Sequence, residues 1–130
     1  YFDLTQEWLQ YAEEDRRAFL ILQAHSELTN AAAFHCQQCI EKSLKALIEE
    51  YYERIPRVHD LPKLYGLVKA KLNLELDIEL LEEISDVYTD VRYPADMGVL
   101  PRGDPTTEDI QRFADCADEV LNVVKTALNQ

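Results

Sequence analysis

Four polar residues, His35, Gln38, Lys42 and Lys45, are spaced by three or four in a stretch that reads as one long helix. At about 100° per residue they share one stripe, with Glu41 just beside it. Two lysines three apart make a compact anion-attracting point, and the histidine and glutamine add donors of defined direction. The chemistry such a stripe supports is the holding of phosphate or of a nucleotide. Its plain alternative is a solvated face on which Glu41 pairs with Lys45 at i,i+4. Ile40, Leu44, Leu47, Ile48 and Tyr51 form an apolar stripe roughly opposite. One helix is therefore expected to serve a packed core and an ordered polar surface.

Other constellations are weaker. In Arg92-Tyr93-Pro94, at a helix end, Arg92 can clamp phosphate and Tyr93 can stack on a base; equally, Arg92 can complete the negative end of the helix dipole. His59, in Val58-His59-Asp60-Leu61, can donate to a ligand, act as an acid or base, or bond a backbone carbonyl. Cys36-Gln-Gln-Cys39 lacks the βαβ setting of a redox pair and the second ligand pair of a closed zinc site, so it reads as two small residues letting helices approach. Tyr51, Tyr52, Tyr65 and Tyr88 read as core and rim packing. There is no Gly-rich phosphate loop, nucleophile elbow or HExxH.

The elements that must position these residues are helices. Three glycines in a chain rich in Leu, Glu, Ala and Lys leave few breakers. Asp3 or Thr5 caps a first helix running to about Ala24, with Leu4, Trp8, Leu9, Ala12, Phe19, Leu20 and Leu22 apolar. The second spans about Asn30 to Tyr52. Asp60 and Pro62 open a short third helix to about Lys71, with Leu64, Leu67 and Val68 inward. The fourth runs from about Asp77 to Val91 through Ile78, Leu81, Ile84, Val87 and Tyr88, and Pro94 stops it. Ala95 to Pro105 reads as a loop. Thr106 or Thr107 then caps a last helix to about Leu128, with Ile110, Phe113, Ala117, Val120, Leu121 and Val124 on its core face. Short loops between such helices predict an all-α, antiparallel up-and-down four-helix bundle with an additional short helix, one domain over residues 1–130.

A formal net charge of -12 opposes generic binding to nucleic acid or anionic membrane. No apolar run is long enough to span a bilayer, and the first residues carry no secretory signal. Three cysteines make no disulfide framework, so a reducing cytoplasm is the expected compartment.

Taken in order, these residues resemble the HEPN domain family (higher eukaryotes and prokaryotes nucleotide-binding). The family's H-x-x-Q-x-x-E-K-x-x-K-A stands as His35, Gln38, Glu41, Lys42, Lys45 and Ala46, its HDL as His59-Asp60-Leu61, and its R-Y-P as Arg92-Tyr93-Pro94 after Tyr88. The resemblance covers nearly the whole chain. It implies a nucleotide- or phosphate-binding module, often a homodimer, acting with a nucleotidyltransferase partner as in toxin–antitoxin systems. It points to His35, Gln38, Lys42, Lys45, His59, Arg92 and Tyr93 as ligand-holding residues, with ATP or GTP as the candidate nucleotide and no metal. The nuclease branch of the family pairs an arginine with a histidine four to six residues on, near the start of a late helix. Here no histidine follows His59, so Arg92 has no such partner, and Arg54 to His59 fits the spacing only within a proline-containing loop. The rival readings are a metal-independent endoribonuclease using Arg54 and His59 or another pair not evident from spacing, and a ligand-free interaction or dimerisation bundle. A stripe fully engaged in intrachain pairs would favour the last.

Overall fold

A computed structural model describes residues 3–52, 54–92 (backbone only for 88–92) and 104–128. Five α-helices follow one another among these residues: α1 (Leu4–Leu22), α2 (Thr29–Tyr51), α3 (Leu61–Val68), α4 (Ile78–Arg92) and α5 (Thr107–Ala127). Single 3₁₀ turns, Ser26–Leu28 and Lys69–Lys71, precede α2 and follow α3.

Local chemistry sets the helix starts. The Asp3 side chain accepts from the Gln6 N–H at 3.2 Å and begins α1. Asp60 accepts from the Lys63 N–H at 3.1 Å, and Pro62 sits in the first turn of α3, where no intrahelical donor is needed. Asp77 Oδ1 receives the Glu79 and Leu80 N–H groups at the head of α4. Thr106 and Asp109 exchange side-chain and backbone bonds in a capping box that opens α5. Most of the loop expected at Ala95 to Pro105 lies outside the described residues.

α1, α2, α4 and α5 form the antiparallel bundle, with α3 as the short extra helix. Along α1, Thr5 and Trp8 meet Glu50 and Glu49 near the end of α2, while Asp15 meets His35 near its start. α1 also runs against α5, through Glu13–Lys125, Arg16–Asp118 and Gln23–Gln111 contacts. α2 is the hub and packs against all four other helices. Its buried residues run from Ala32 to Ile48 around most of its circumference. Cys36 and Cys39 lie in that core, with the Cys39 thiol turned toward the Ala117 carbonyl of α5, so the CxxC serves close helix approach. No helix among the described residues is long and apolar enough to cross a membrane.

Several positions expected inside are outside. Leu4 (44% exposed), Leu20 (43%), Tyr51 (45%), Leu67 (40%) and Ile78 (42%) are all solvent-facing. Leu4, Tyr51 and Ile78 sit in terminal turns, where a helix has no neighbour beyond its end to cover it. Leu67 borders a surface cavity described below. Tyr51 and Tyr52 are thus rim residues, while Tyr65 is wholly buried and the Tyr88 side chain lies outside the described residues.

Tyr65 has a structural task beyond packing. Its hydroxyl donates to the Leu74 carbonyl at 2.8 Å and accepts from the Leu76 N–H at 3.2 Å. It thereby satisfies backbone groups of the non-helical segment before α4, which has no ladder of its own. Tyr65→Phe should leave those groups unpaired and lower unfolding free energy by about 1–3 kcal/mol, read from the urea midpoint at unchanged m-value.

Candidate functional site

The polar stripe of α2 is only partly open to solvent: Lys45 is buried, and His35, Gln38 and Lys42 are half-buried. Antiparallel packing lays it against α1 on one side and the loop before α3 on the other. Asp15 is the first reason. It sits on the core face of α1, in register with Ala12 and Phe19, and its side chain is only 8% exposed. There it accepts from His35 Nδ1 at 2.8 Å and from Lys42 Nζ at 2.7 Å.

Glu41 is the second reason. Its carboxylate is 6% exposed and accepts from Lys45 Nζ at 3.0 Å, from Gln37 Nε2 at 2.9 Å and from His59 Nδ1 at 2.9 Å to either oxygen. Gln38 Nε2 donates in turn to Gln37 Oε1 at 2.7 Å. A carboxylate has no proton to give, so both histidines carry their hydrogen on Nδ1. The His59 backbone is itself fixed: its carbonyl accepts from Ser85 Oγ of α4, and that hydroxyl accepts from the Leu61 N–H.

The structure therefore brings His35, Gln38, Lys42, Lys45 and His59 into two adjoining carboxylate-centred clusters. The side chain of Arg92 and all of Tyr93 lie outside the described residues. The i,i+4 pair of Glu41 and Lys45 exists, but buried rather than solvated. One carboxylate faces each ammonium group, Asp15 with Lys42 and Glu41 with Lys45. Lys42 and Lys45 also lie 5.9 Å and 5.7 Å from the ring centroids of Tyr11 and Trp8 on α1. Such lysines are already neutralised, and a phosphate would have to displace a buried carboxylate from each.

Two members of this network, Asp15 and Gln37, were not singled out from sequence. A signal existed for both. Each is a polar residue at an apolar register position, and a buried polar group requires a partner.

A second constellation lies at the end of α2. Ile48, Tyr52, Arg54, Ile55, Pro56, Arg57 and Leu67 line a cavity of about 730 Å³. Tyr52 is held by its hydroxyl, which donates to the Leu67 carbonyl at 2.7 Å. Arg54 and Arg57 are exposed, and neither forms an ion pair with a described residue. Lys71, in the turn that follows α3, stands 4.6 Å from the ring centroid of Tyr51. His59 does not line the cavity, so Arg54 and His59 are not assembled there as a pair. From sequence, Arg54 figured only in that spacing, and Arg57 not at all. The usable signal was two arginines in a proline-containing loop directly after two tyrosines.

The cysteines offer no nucleophile. Cys36, Cys39 and Cys116 are buried, and burial pushes the Cys39 and Cys116 thiols up to about 12 and that of Cys36 higher still. Among the described residues no group of His, Cys, Asp and Glu is arranged to hold a metal ion.

With this geometry in view, the chain belongs to the HEPN domain family, whose match covers residues 5–127. Two solved structures share its fold. The protein TT1696 from Thermus thermophilus superposes with a TM-score of 0.80 at 21% identity, covering 97% of this chain and 99% of the other. ST0689, an archaeal HEPN homologue, superposes with a TM-score of 0.67 at 26% identity, covering 94% and 95%. No curated protein matches the sequence.

Two outcomes follow from the burial of these groups. Glu41→Ala should strand the Lys45 ammonium and cost about 3–5 kcal/mol, and adding Lys45→Met should recover much of the loss; urea denaturation of both variants measures it. The three raised thiols should resist iodoacetamide at pH 8 in the native protein and label fully in denaturant, since thiolate is scarce well below the thiol pKa.

Proposed function

We propose that this chain is a nucleotide- or phosphate-binding HEPN module whose phosphate contacts come from Arg54 and Arg57 rather than from Lys42 and Lys45. The observation that carries this reading is the cavity at the end of α2, where two guanidinium groups have no carboxylate partner among the described residues. In a chain of net charge -12, cations left without acidic partners mark a place kept for an anion. A guanidinium fork matches phosphate oxygens in shape as well as charge. Tyr52 with Ile55, Pro56 and Leu67 supplies apolar wall for a base or sugar. The cavity lies within the size range of small-ligand sites.

In this reading His35, Gln38, Lys42, Lys45 and His59 act indirectly. They weld α1, α2 and the α3 loop, and so hold the cavity's floor. ATP or GTP is the candidate ligand, with Arg92 and Tyr93 as further contacts on the strength of the family's R-Y-P. A homodimer and a nucleotidyltransferase partner in the cytoplasm complete the proposal, on family membership alone. The overall charge argues against long RNA. A second reading, a ligand-free interaction bundle, is favoured by the full engagement of the α2 stripe within the chain.

Thermal unfolding against ATP, GTP and short RNAs separates the two. A nucleotide at a hundredfold its Kd should add about 2.7 kcal/mol of apparent stability. Arg54→Ala and Arg57→Ala should abolish that increment while leaving the ligand-free Tm nearly unchanged. Lys42→Ala should lower the ligand-free Tm but keep the increment. No increment with any ligand leaves the interaction bundle as the function.

A further inference from the structure

Charge pairing is uneven among the described side chains. Arg16, Lys42, Lys45, Lys69, Arg112 and Lys125 each form an ion pair. Arg17, Arg54, Arg57, Lys63 and Lys71 form none with a described residue, and all five are exposed. All but Arg17 fall between Arg54 and Lys71, a stretch whose one acidic residue is Asp60, in a chain of net charge -12. We propose that the arginine cavity selects its ligand by the length of a condensed phosphate chain, and that Lys71 holds the phosphates that extend past the two guanidinium groups. The proposal rests on the reading of that cavity as a phosphate site and names what it takes: a polyphosphate chain, free or carried by a nucleoside.

Lys71 belongs to this site by position. It follows Leu67 of the cavity wall by one turn. The Tyr52 hydroxyl donates to the Leu67 carbonyl at 2.7 Å, and Lys71 Nζ stands 4.6 Å from the ring centroid of Tyr51. Two consecutive tyrosines therefore hold Leu67 and Lys71 at the same end of α2. A ring positions an ammonium group without cancelling its charge. Lys69 differs, because its ammonium meets the Glu75 carboxylate at 3.8 Å. Lys71 is thus a held, uncompensated cation beside the cavity, and Lys63, one turn before Leu67, adds to the same field.

The cavity wall distinguishes charge and little else. Ile48, Ile55, Pro56 and Leu67 offer no side-chain hydrogen bond, and the Tyr52 hydroxyl proton is spent on the Leu67 carbonyl. Among the described lining side chains only the guanidinium groups remain as donors, and both suit phosphate oxygens. A base entering this cavity meets an apolar wall that takes purine and pyrimidine alike. Discrimination then falls to the number of phosphates that reach a cation. One phosphate occupies the guanidinium pair; a longer chain carries further charge out to Lys71. A phosphodiester strand is less suited, because its bases need open rings on which to stack. One face of the Tyr51 ring is taken by Lys71, and Tyr52 is tied into the wall.

Isothermal titration calorimetry of the intact protein tests this with AMP, ADP, ATP, GTP, UTP, inorganic tripolyphosphate and a short oligouridylate, at constant ionic strength in EDTA. ATP should bind about tenfold tighter than AMP, with ADP between, while ATP, GTP and UTP agree within about threefold. Lys71→Ala should bring ATP to within about threefold of AMP, whereas Arg17→Ala, which removes an equally unpaired cation on α1, should keep the step. Lys71→Gln serves if Lys71→Ala is poorly folded by circular dichroism. Tripolyphosphate binding at least as tightly as ATP assigns a free polyphosphate; tighter binding of ATP assigns a nucleoside triphosphate. Equal affinity for AMP and ATP, lost in Arg54→Ala, overturns selection by chain length and leaves the phosphate-site reading intact. No binding of any probe overturns both. A step that survives loss of Lys71, or that Arg17→Ala also removes, overturns the proposal. So does a strong preference among ATP, GTP and UTP, or tightest binding of the oligouridylate.

Discussion

Two buried carboxylates, Asp15 of α1 and Glu41 of α2, constrain how the helices of this molecule meet. Asp15 and Glu41 are too enclosed to be solvated, so each must be surrounded by donors. Those donors come from two separate segments, α2 and the loop before α3. Asp15 draws His35 and Lys42 of α2 onto α1; Glu41 gathers Lys45, Gln37 and, across from the α3 loop, His59. Apolar burial alone would hold α2 inside the bundle without fixing its rotation. The contacts between segments oppose other rotations, because turning α2 by one residue would part Asp15 from His35 and Lys42, and Glu41 from His59. Ion pairs of this kind contribute little net stability when compared with an apolar core of the same shape, yet breaking one is expensive. Their effect is on specificity of packing.

This constraint also redistributes charge over the surface. Lysines that α2 keeps for its own carboxylates cannot serve a ligand, so anion binding has to be sought where cations remain uncompensated. Arg54 and Arg57, in the loop that follows α2, meet that condition.

Sequence by itself determined the helices. Apolar residues at spacings of three and four, few glycines, and Asp or Thr at the heads of every helix but α2 are local signals, and local backbone chemistry acts on them directly. Asp3, Asp60 and Thr106 cap where the sequence places a cap. The family resemblance rested on His35, Gln38, Glu41, Lys42, Lys45 and Ala46 with the later His59-Asp60-Leu61, and the HEPN match extends from residue 5 to 127.

Only the tertiary structure decided what those residues face. Periodicity shows that His35, Gln38, Lys42 and Lys45 share a side of a helix, but not whether that side meets water or another helix. The answer lay in Asp15, which is 20 residues from His35 and 27 from Lys42 in sequence. Pairing across helices depends on bundle register, and register has no local signature. The same holds for Tyr51, Leu67 and Ile78, apolar by pattern yet exposed, because exposure depends on where neighbouring helices end. The cavity at the end of α2 arises where separate segments converge, and no single segment encodes it. Helix formation is a property of neighbours along the chain; burial of charge is a property of neighbours in space.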